Sequence, residues 1–453
     1  LNNRRVVITG LGVISSIGLN VEEFWDNALK AESVVKKIPE QWLNYSDYNS
    51  QIWSPLPVID YASNEITRIE QKQLDPTSLM AIKSTFQALK NADLDYELFD
   101  RKRNIYDIKF NDNIKKGVFI GTGIGGISTV NQCFSNQILS GFDAKINEII
   151  SGNESKELSE LKKIQENMIF PKRFNPFGVS MIMPNACSAN LGIKFNINGP
   201  NNTFCSACAS GTVAIGYGYE AVKSGKIDFA VTGGTEFMYD DYGALFYAFD
   251  VIKALTNDYS DFDKANRPFD KDRSGFLFSQ GGCAVLLLEE LENALKRDAK
   301  IIAEIIGFEE GCDAHNVMMI DDSGSQIKNM IDSLFNKASV NYSEIDYINT
   351  HGTGTLLNDD VESRIIDELF GKKPLINSTK SLLGHTLGAS GAIEALVTAL
   401  SIQKKTSHVC KNLDNPISDL NFITQTGSFQ IKKALTQSFG FGGHNVGLLL
   451  SEY

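Results

Sequence analysis

The chain has 453 residues, 42% of them apolar and 22% charged, with a formal net charge of −12. That length supports one large or two medium domains with well-buried cores, and the composition is that of an ordinary globular protein. The acidic balance argues against nucleic acid as the main partner, because phosphate binding needs a basic surface. No apolar run approaches the roughly 20 residues needed to span a bilayer. Seven scattered cysteines, an odd number, do not make a disulfide framework. They read as small buried hydrophobes in a reducing, cytoplasmic setting.

In chain order, Arg4–Ile17 has a basic start and an apolar body. Its glycines and β-branched alternation predict a first core strand followed by a turn, not a signal peptide, since no small-residue cleavage site follows. Short β-branched runs predict buried strands at Val6–Thr9, Val118–Ile120, Phe229–Thr232, Ala284–Leu288, Ile301–Ile306, Tyr347–Asn349 and Val446–Leu450. Helical periodicity lies between them, as over Ser78–Leu89 and Ile393–Leu400. Strands alternating with helices predict a layered α/β architecture. Two polar stretches, 100–116 and 142–166, read as surface insertions.

The two halves, 1–292 and 293–453, look like versions of one plan. Each has a strand entering a Gly-Thr-Gly turn (Gly121–Gly123; Gly352–Gly354) and a small-residue helix start (Ala207–Gly211; Leu387–Gly391). On that matching, Cys208 and His385 fall near equivalent places, and a pseudo-twofold arrangement would bring them together.

The chemistry concentrates in three segments. Asn202–Thr212 presents Cys208 among small residues ahead of a helical pattern, where the positive end of the helix dipole favours thiolate. Thr350–Thr355 and Lys380–His385 each present a histidine beside glycine, His351 and His385. One thiol and two imidazoles on turns suit acyl transfer. Cys205 is a decoy, expected to be buried at the end of the preceding strand. His315 and His408 lack such context and read as surface or packing residues. Gly121-Thr-Gly-Ile-Gly-Gly126 satisfies the dinucleotide fingerprint, but the polar stretch after it does not, so close backbone packing accounts for its glycines. Asp261-Phe-Asp263 starts like a calcium loop without the glycine and glutamate such a loop needs.

Taken with Arg4–Val13, Arg267–Arg273 and Ser438–Asn445, these motifs resemble, nearly end to end, the β-ketoacyl-acyl-carrier-protein synthases of the ketosynthase I/II branch of the thiolase superfamily. The resemblance implies a thiolase-like α/β fold of two repeated βαβ-type halves in αβαβα layers. It implies a decarboxylative Claisen condensation in which Cys208, immediately before Ala-Ser-Gly, carries the acyl group. His351 and His385 would then donate hydrogen bonds to a malonyl-derived enolate, and the backbone N–H groups of Cys208 and Phe441 would form the oxyanion hole. Lys380 and Glu394 match a buried pair that orders the site, and Thr353 and Thr355 match positions that hydrogen-bond a pantetheine arm. Gly178 falls near the acyl pocket and dimer interface, and Arg68 and Lys72 fall in a carrier-docking segment. His444 stands where a small polar residue is usual and is given no role. The resemblance further implies no cofactor on the chain, substrates on the phosphopantetheine of an acyl carrier protein, and a homodimer or a heterodimer with a chain-length-factor-like homologue. The histidine at 385 sets the chain apart from ketosynthase III, and the retained cysteine from silent chain-length partners. The thin basic cluster around Arg68–Lys72, Ser279-Gln-Gly281, Gly178 and the insertions point to a type II polyketide ketosynthase. Fatty-acid elongation is the alternative, and a non-catalytic scaffold a distant one.

Overall fold

β-branched and aromatic runs punctuated by glycine pair into one mixed ten-stranded sheet in a computed structural model that describes residues 4–150, 159, 175–257 and 261–453. In chain order the strands are β1 (Val6–Ile14), β2 (Lys116–Gly121), β3 (Asn201–Phe204), β4 (Phe229–Phe237) and β5 (Gly281–Glu290), then β6 (Ala303–Cys312), β7 (Tyr347–Asn349), β8 (Leu375–Asn377), β9 (Lys433–Gly440) and β10 (His444–Ser451). The spatial order is β8-β7-β9-β10-β6-β1-β5-β4-β2-β3. Outward from the middle, both halves therefore run first strand, fifth, fourth, second, third. Pairing senses repeat as well: β1/β5, β5/β4, β6/β10 and β10/β9 are antiparallel, whereas β4/β2, β2/β3, β9/β7 and β7/β8 are parallel. The halves join where Val6–Ile8 pairs antiparallel with Ala303–Ile305.

Helices α1 (Pro76–Asn91), α2 (Ser210–Lys223), α3 (Ser325–Ala338), α4 (Leu356–Phe370) and α5 (Ser390–Lys404) complete the layers. α1 starts on an Asp75 cap that accepts from the Thr77 N–H, with Pro76 in the first turn, where its missing donor costs nothing. Its residues Met80, Ile82 and Phe86 pack with Ile120, Val231 and Leu287 on the outside of the first half-sheet. α3 and α4 cover the second half-sheet, Ile331 and Ile365 meeting Ile348 and Leu449. Between the half-sheets lie α2 and α5, where Val213, Ile393 and Leu396 share a core with Val6, Ile8 and Leu448. α5 is buried on every face from Ser390 to Ile402, as a helix in a central layer must be. The result is the αβαβα stack of a thiolase-like fold.

The polar stretch 100–116 is more structured than its composition suggests. Tyr96–Asp100 and Ile105–Ile108 form a hairpin that buries Ile105, Tyr106 and Ile108. The outward strand leaves Leu98 and Phe99 exposed and the turn after it is polar, so no buried alternation shows in the sequence. Of the second insertion, Phe142–Ile150 continues the helix Ile127–Ile150; apart from Ser159, the rest lies outside the described residues.

Candidate active site

Cys208 is aimed by a strained turn. After β3 the chain makes a 3-10 turn over Ala207–Ala209 into α2, with Ala207 in the left-handed region at φ 49°. The second half repeats this: Leu387 has φ 46°, and a 3-10 turn over Leu387–Ala389 leads into α5. Helix starts Ser210-Gly211 and Ser390-Gly391 thus coincide in the repeat, making Gly388 the counterpart of Cys208 and Cys205 that of His385. The matching of Ala207–Gly211 with Leu387–Gly391 therefore holds in the structure, and His385 lies three residues ahead of the counterpart of Cys208. A side chain at position 388 is excluded, since a Cβ there would lie 2.2 Å from the Gly123 nitrogen.

Cys208 is buried, and its Sγ lies 2.9 Å from His385 Nε2. The Nδ1 of His385 is 3.0 Å from the Ser390 hydroxyl, at the start of the same helix whose turn packs against Cys208. His351, two residues past β7, meets the His385 ring edge-on at 5.6 Å between centroids. Its Nδ1 faces Lys380 Nζ at 3.2 Å; the same ammonium donates to the His351 carbonyl at 2.7 Å and to Glu394 Oε1 at 2.5 Å. Three donors thus meet three acceptors, which makes Nδ1 of His351 an acceptor and places its proton on Nε2, facing the site.

Burial, and then the nearby Lys380 charge, hold both imidazoles well below the usual histidine range, so both are neutral. Burial also pushes the Cys208 thiol up to about 12, against the pull of Lys380 and of the Phe441 backbone N–H. Burial thus opposes the thiolate that the helix start favours, which suits a resting pair of thiol and neutral imidazole. His385 Nε2 is close enough to take the thiol proton.

A cavity of about 530 Å³ runs from the surface to Cys208, His351 and His385. Thr353 and Thr355 line it, their hydroxyls 2.9 Å apart, as does Phe441, which sits before Gly442 and Gly443 at φ 90° and 80°. Gly178, Arg68 and Lys72 do not line it: Gly178 is buried at the start of the helix Gly178–Ile182, and the other two are exposed around Glu70–Gln73. Cys205 is exposed, not buried as expected, because β3 is an edge strand and its end faces outward. The spacing Cys205-Ser-Ala-Cys208 is that of a CxxC pair, yet both thiols are free. His315 is exposed, His408 is packed inside and His444 is absent from the cavity wall. In the glycine-rich turn after β2, a Cβ at Gly121 would lie 2.2 Å from the Ser210 backbone, and one at Gly126 would lie 2.2 Å from the Met181 carbonyl, so packing does account for those glycines. No cluster of three or more His, Cys, Asp or Glu side chains suited to a metal occurs among the described residues, and none of their helices is long and apolar enough to cross a membrane.

Three further residues shape the site without having been singled out in the sequence. Ser390 orients His385. Glu236 accepts from Gly123, Ile124 and Gly388 N–H and from the Thr122 hydroxyl, tying turns of both halves together. Glu362 accepts from the His351 and Gly352 N–H groups at 2.7 Å each. Ser390 was findable from its place in the repeated Ala-Ser-Gly helix start. The Glu236 partners come from distant segments, and Glu362, ten and eleven residues past its partners, stands in an ordinary helical pattern that gives no signal.

Comparison with known proteins agrees with this geometry. Residues 3–294 match the family model described as Beta-ketoacyl synthase, N-terminal domain, and 302–414 the one described as Beta-ketoacyl synthase, C-terminal domain. The chain is similar to the 3-oxoacyl-[acyl-carrier-protein] synthase 2 of Synechocystis sp. (33% identity over 100% of this chain and 99% of that protein) and of Coxiella burnetii (32%, with the same coverage). Among solved structures it resembles the complex of a type II polyketide acyl-carrier protein with its ketosynthase bound to the hexaketide, with a TM-score of 0.81, 25% identity and all of both chains covered. A β-ketoacyl synthase from Burkholderia phymatum gives a TM-score of 0.80 at 25% identity, covering 99% of this chain and 100% of that one.

Proposed function

The chain belongs to the β-ketoacyl synthase family, and from that premise we propose that Cys208 carries the growing acyl group while His351 and His385 handle the malonyl unit. The observation that carries this reading is the contact of Cys208 Sγ with His385 Nε2 at 2.9 Å, with His351 meeting the same ring. An acyl thioester on a carrier's phosphopantetheine enters the cavity past Thr353 and Thr355. Cys208 sulfur attacks its carbonyl, its proton passes to His385, and the carrier thiolate leaves and takes that proton. A malonyl thioester follows. Its bond to the carboxylate breaks, carbon dioxide departs, and the electron pair moves onto the thioester oxygen, where the Nε2–H groups of His351 and His385 donate to the enolate. In this step His385 takes the tautomer with its proton on Nε2 and Nδ1 accepting from the Ser390 hydroxyl, whereas in acylation Nδ1–H donates to that hydroxyl and Nε2 is free to take the thiol proton. The hydroxyl serves either tautomer, and the exchange between them runs through solvent once the first carrier has left. The enolate carbon attacks the Cys208 thioester, and the oxyanion sits on the N–H groups of Cys208 and Phe441. Collapse breaks the carbon–sulfur bond, releases the β-ketoacyl carrier and leaves Cys208 as thiolate, which returns to thiol by taking up from solvent the one proton that the condensation consumes.

The pathway we favour is a type II polyketide system. The nearest supports are the similarity to a polyketide carrier–ketosynthase complex and to the ishigamide ketosynthase/chain length factor, the latter with a TM-score of 0.79 at 26% identity. The thin basic character of the Arg68–Lys72 segment points the same way. A specific observation favours the second reading, fatty-acid elongation: the curated relatives at 32–33% identity are synthases named 3-oxoacyl-[acyl-carrier-protein] synthase 2. Incubation with acyl carrier protein and intact-mass spectrometry tests the chemistry: the acyl adduct is expected to vanish in Cys208→Ala and persist in Cys205→Ala. An adduct surviving in Cys208→Ala would refute the assignment. Expression alone and with a chain-length-factor-like homologue separates the pathways; a lone homodimer making saturated acyl chains with added reductases favours elongation.

A further inference from the structure

The cavity that ends on Cys208 opens between the loop 313–321, the end of the helix Ala244–Val251 and the first turn of α4. The side chains around that opening are apolar and turned outward: Val317 is 75% exposed, Leu356 60%, Val251 55% and Met319 54%. Single exposed apolar residues are ordinary, but a ring of them at one mouth is the pattern of a contact surface. This rim has a defined shape. Asn316 Oδ1 accepts from the Met318 and Met319 N–H groups, Asp313 Oδ2 accepts from the Asp321 N–H, and the Val317 carbonyl accepts from the Gly442 N–H at 2.6 Å. The last bond joins the rim to the glycine turn that holds Phe441. Lys253 is the one lysine or arginine among the lining residues, and Arg68 and Lys72 lie off the lining altogether.

We infer that Val251, Val317, Met319 and Leu356 form an apolar collar on which the carrier protein seats through an apolar face of its own, while its pantetheine arm reaches Cys208. The inference rests on the carrier-dependent reading given under Proposed function. Whatever delivers a tethered thioester to Cys208 through this cavity must stand over its mouth, and a second copy of the chain seated there would close that route. With a net charge of −12 on the chain and Lys253 the one lysine or arginine in the cavity lining, the cavity wall offers an acidic partner little opposite charge. Desolvation of apolar surface remains as the source of affinity, and it is insensitive to salt.

Val251 and Val317 lie outside the cavity lining, so Val251→Asn/Val317→Asn alters the collar and leaves the passage intact. With carrier-bound substrate, kcat/KM of the double variant is expected to fall by at least about tenfold, the scale of losing apolar anchors from a desolvated contact. Acylation of Cys208 by a free acyl-N-acetylcysteamine thioester is expected to stay within about twofold of the unsubstituted enzyme, as is kcat/KM of the unsubstituted enzyme with carrier-bound substrate from about 0.05 to about 0.5 M salt. Unchanged kinetics of the variant with the carrier, or a steep loss of activity with salt, would overturn the collar. So would sedimentation showing that the unsubstituted chain self-associates through this face and the variant does not. Failure of the unsubstituted enzyme to be acylated by either donor would instead overturn the reading of function on which the collar rests.

Discussion

At the residue scale the site is a set of proton positions fixed by burial. His351 is held as the Nε2–H tautomer by the Lys380 ammonium on its Nδ1, and Lys380 in turn is held by Glu394, both side chains 2% exposed. Removing Lys380 leaves a buried carboxylate unpaired and frees the His351 proton to sit on either nitrogen. His351→Ala and Lys380→Met are therefore expected to slow carbon dioxide release from a malonyl carrier by about 100-fold or more, the scale of losing one oxyanion donor. Acylation of Cys208 should suffer less, since its proton goes to His385. Separate assays of the two half-reactions check this. Cysteine and both histidines were legible in the sequence because each sits beside glycine or alanine in a turn; the tautomer was not, because it depends on a lysine 29 positions away.

At the scale of elements, the two central helices meet almost backbone to backbone. A Cβ at Gly391 of α5 would lie 1.9 Å from the Thr212 hydroxyl of α2 and 3.0 Å from the Thr212 nitrogen. The equivalent Gly211 faces Ala392 at 2.7 Å in the same sense. That Thr212 hydroxyl cannot swing away freely, being hydrogen-bonded to Ser438 at 2.7 Å inside the core. Gly391→Ala is expected to cost about 1–3 kcal/mol, the range for overpacking a tight core, and to slow Cys208 acylation because the site straddles this crossing. Gly427→Ala, where a Cβ would meet only ordinary contacts with Phe429 at 3.5 Å and beyond, is the control. Denaturant midpoints of both variants decide it. The strands and helices that are apolar on every side were readable from composition alone. β9 and the hairpin at 96–108 were not, because polar residues interrupt their apolar runs, and β9 is placed in the sheet partly by pairing with the distant β7.

At the scale of the whole molecule, buried titratable groups make stability depend on pH in two opposite senses. His408 is pushed down to about 4 by burial; a base depressed in the folded state contributes stability above its unfolded value of about 6.5, lost as pH falls toward 4. Glu362 is pushed up to about 7 by burial; a raised acid contributes stability below its unfolded value, lost as pH rises through 7. Each displacement is worth on the order of 3 kcal/mol. His408→Gln is accordingly expected to lose less stability than the unsubstituted protein between about pH 7 and 5, and Glu362→Gln less between about pH 5 and 7. Denaturant titrations across that range measure both slopes.

Local chemistry is what the sequence by itself determined: a layered α/β chain, a duplicated plan, a cysteine ahead of a helix and two histidines in turns. Those features are written in nearest neighbours and in periodicity, which one strand of text carries. Tertiary structure alone decided that His385, three residues ahead of the repeat counterpart of Cys208, reaches that thiol across 177 positions of sequence. It also decided which thiol is buried, which imidazole nitrogen holds its proton, and which apolar side chains remain uncovered at the mouth. Each of these depends on contacts between segments tens to hundreds of residues apart, and on how much water the fold excludes from them.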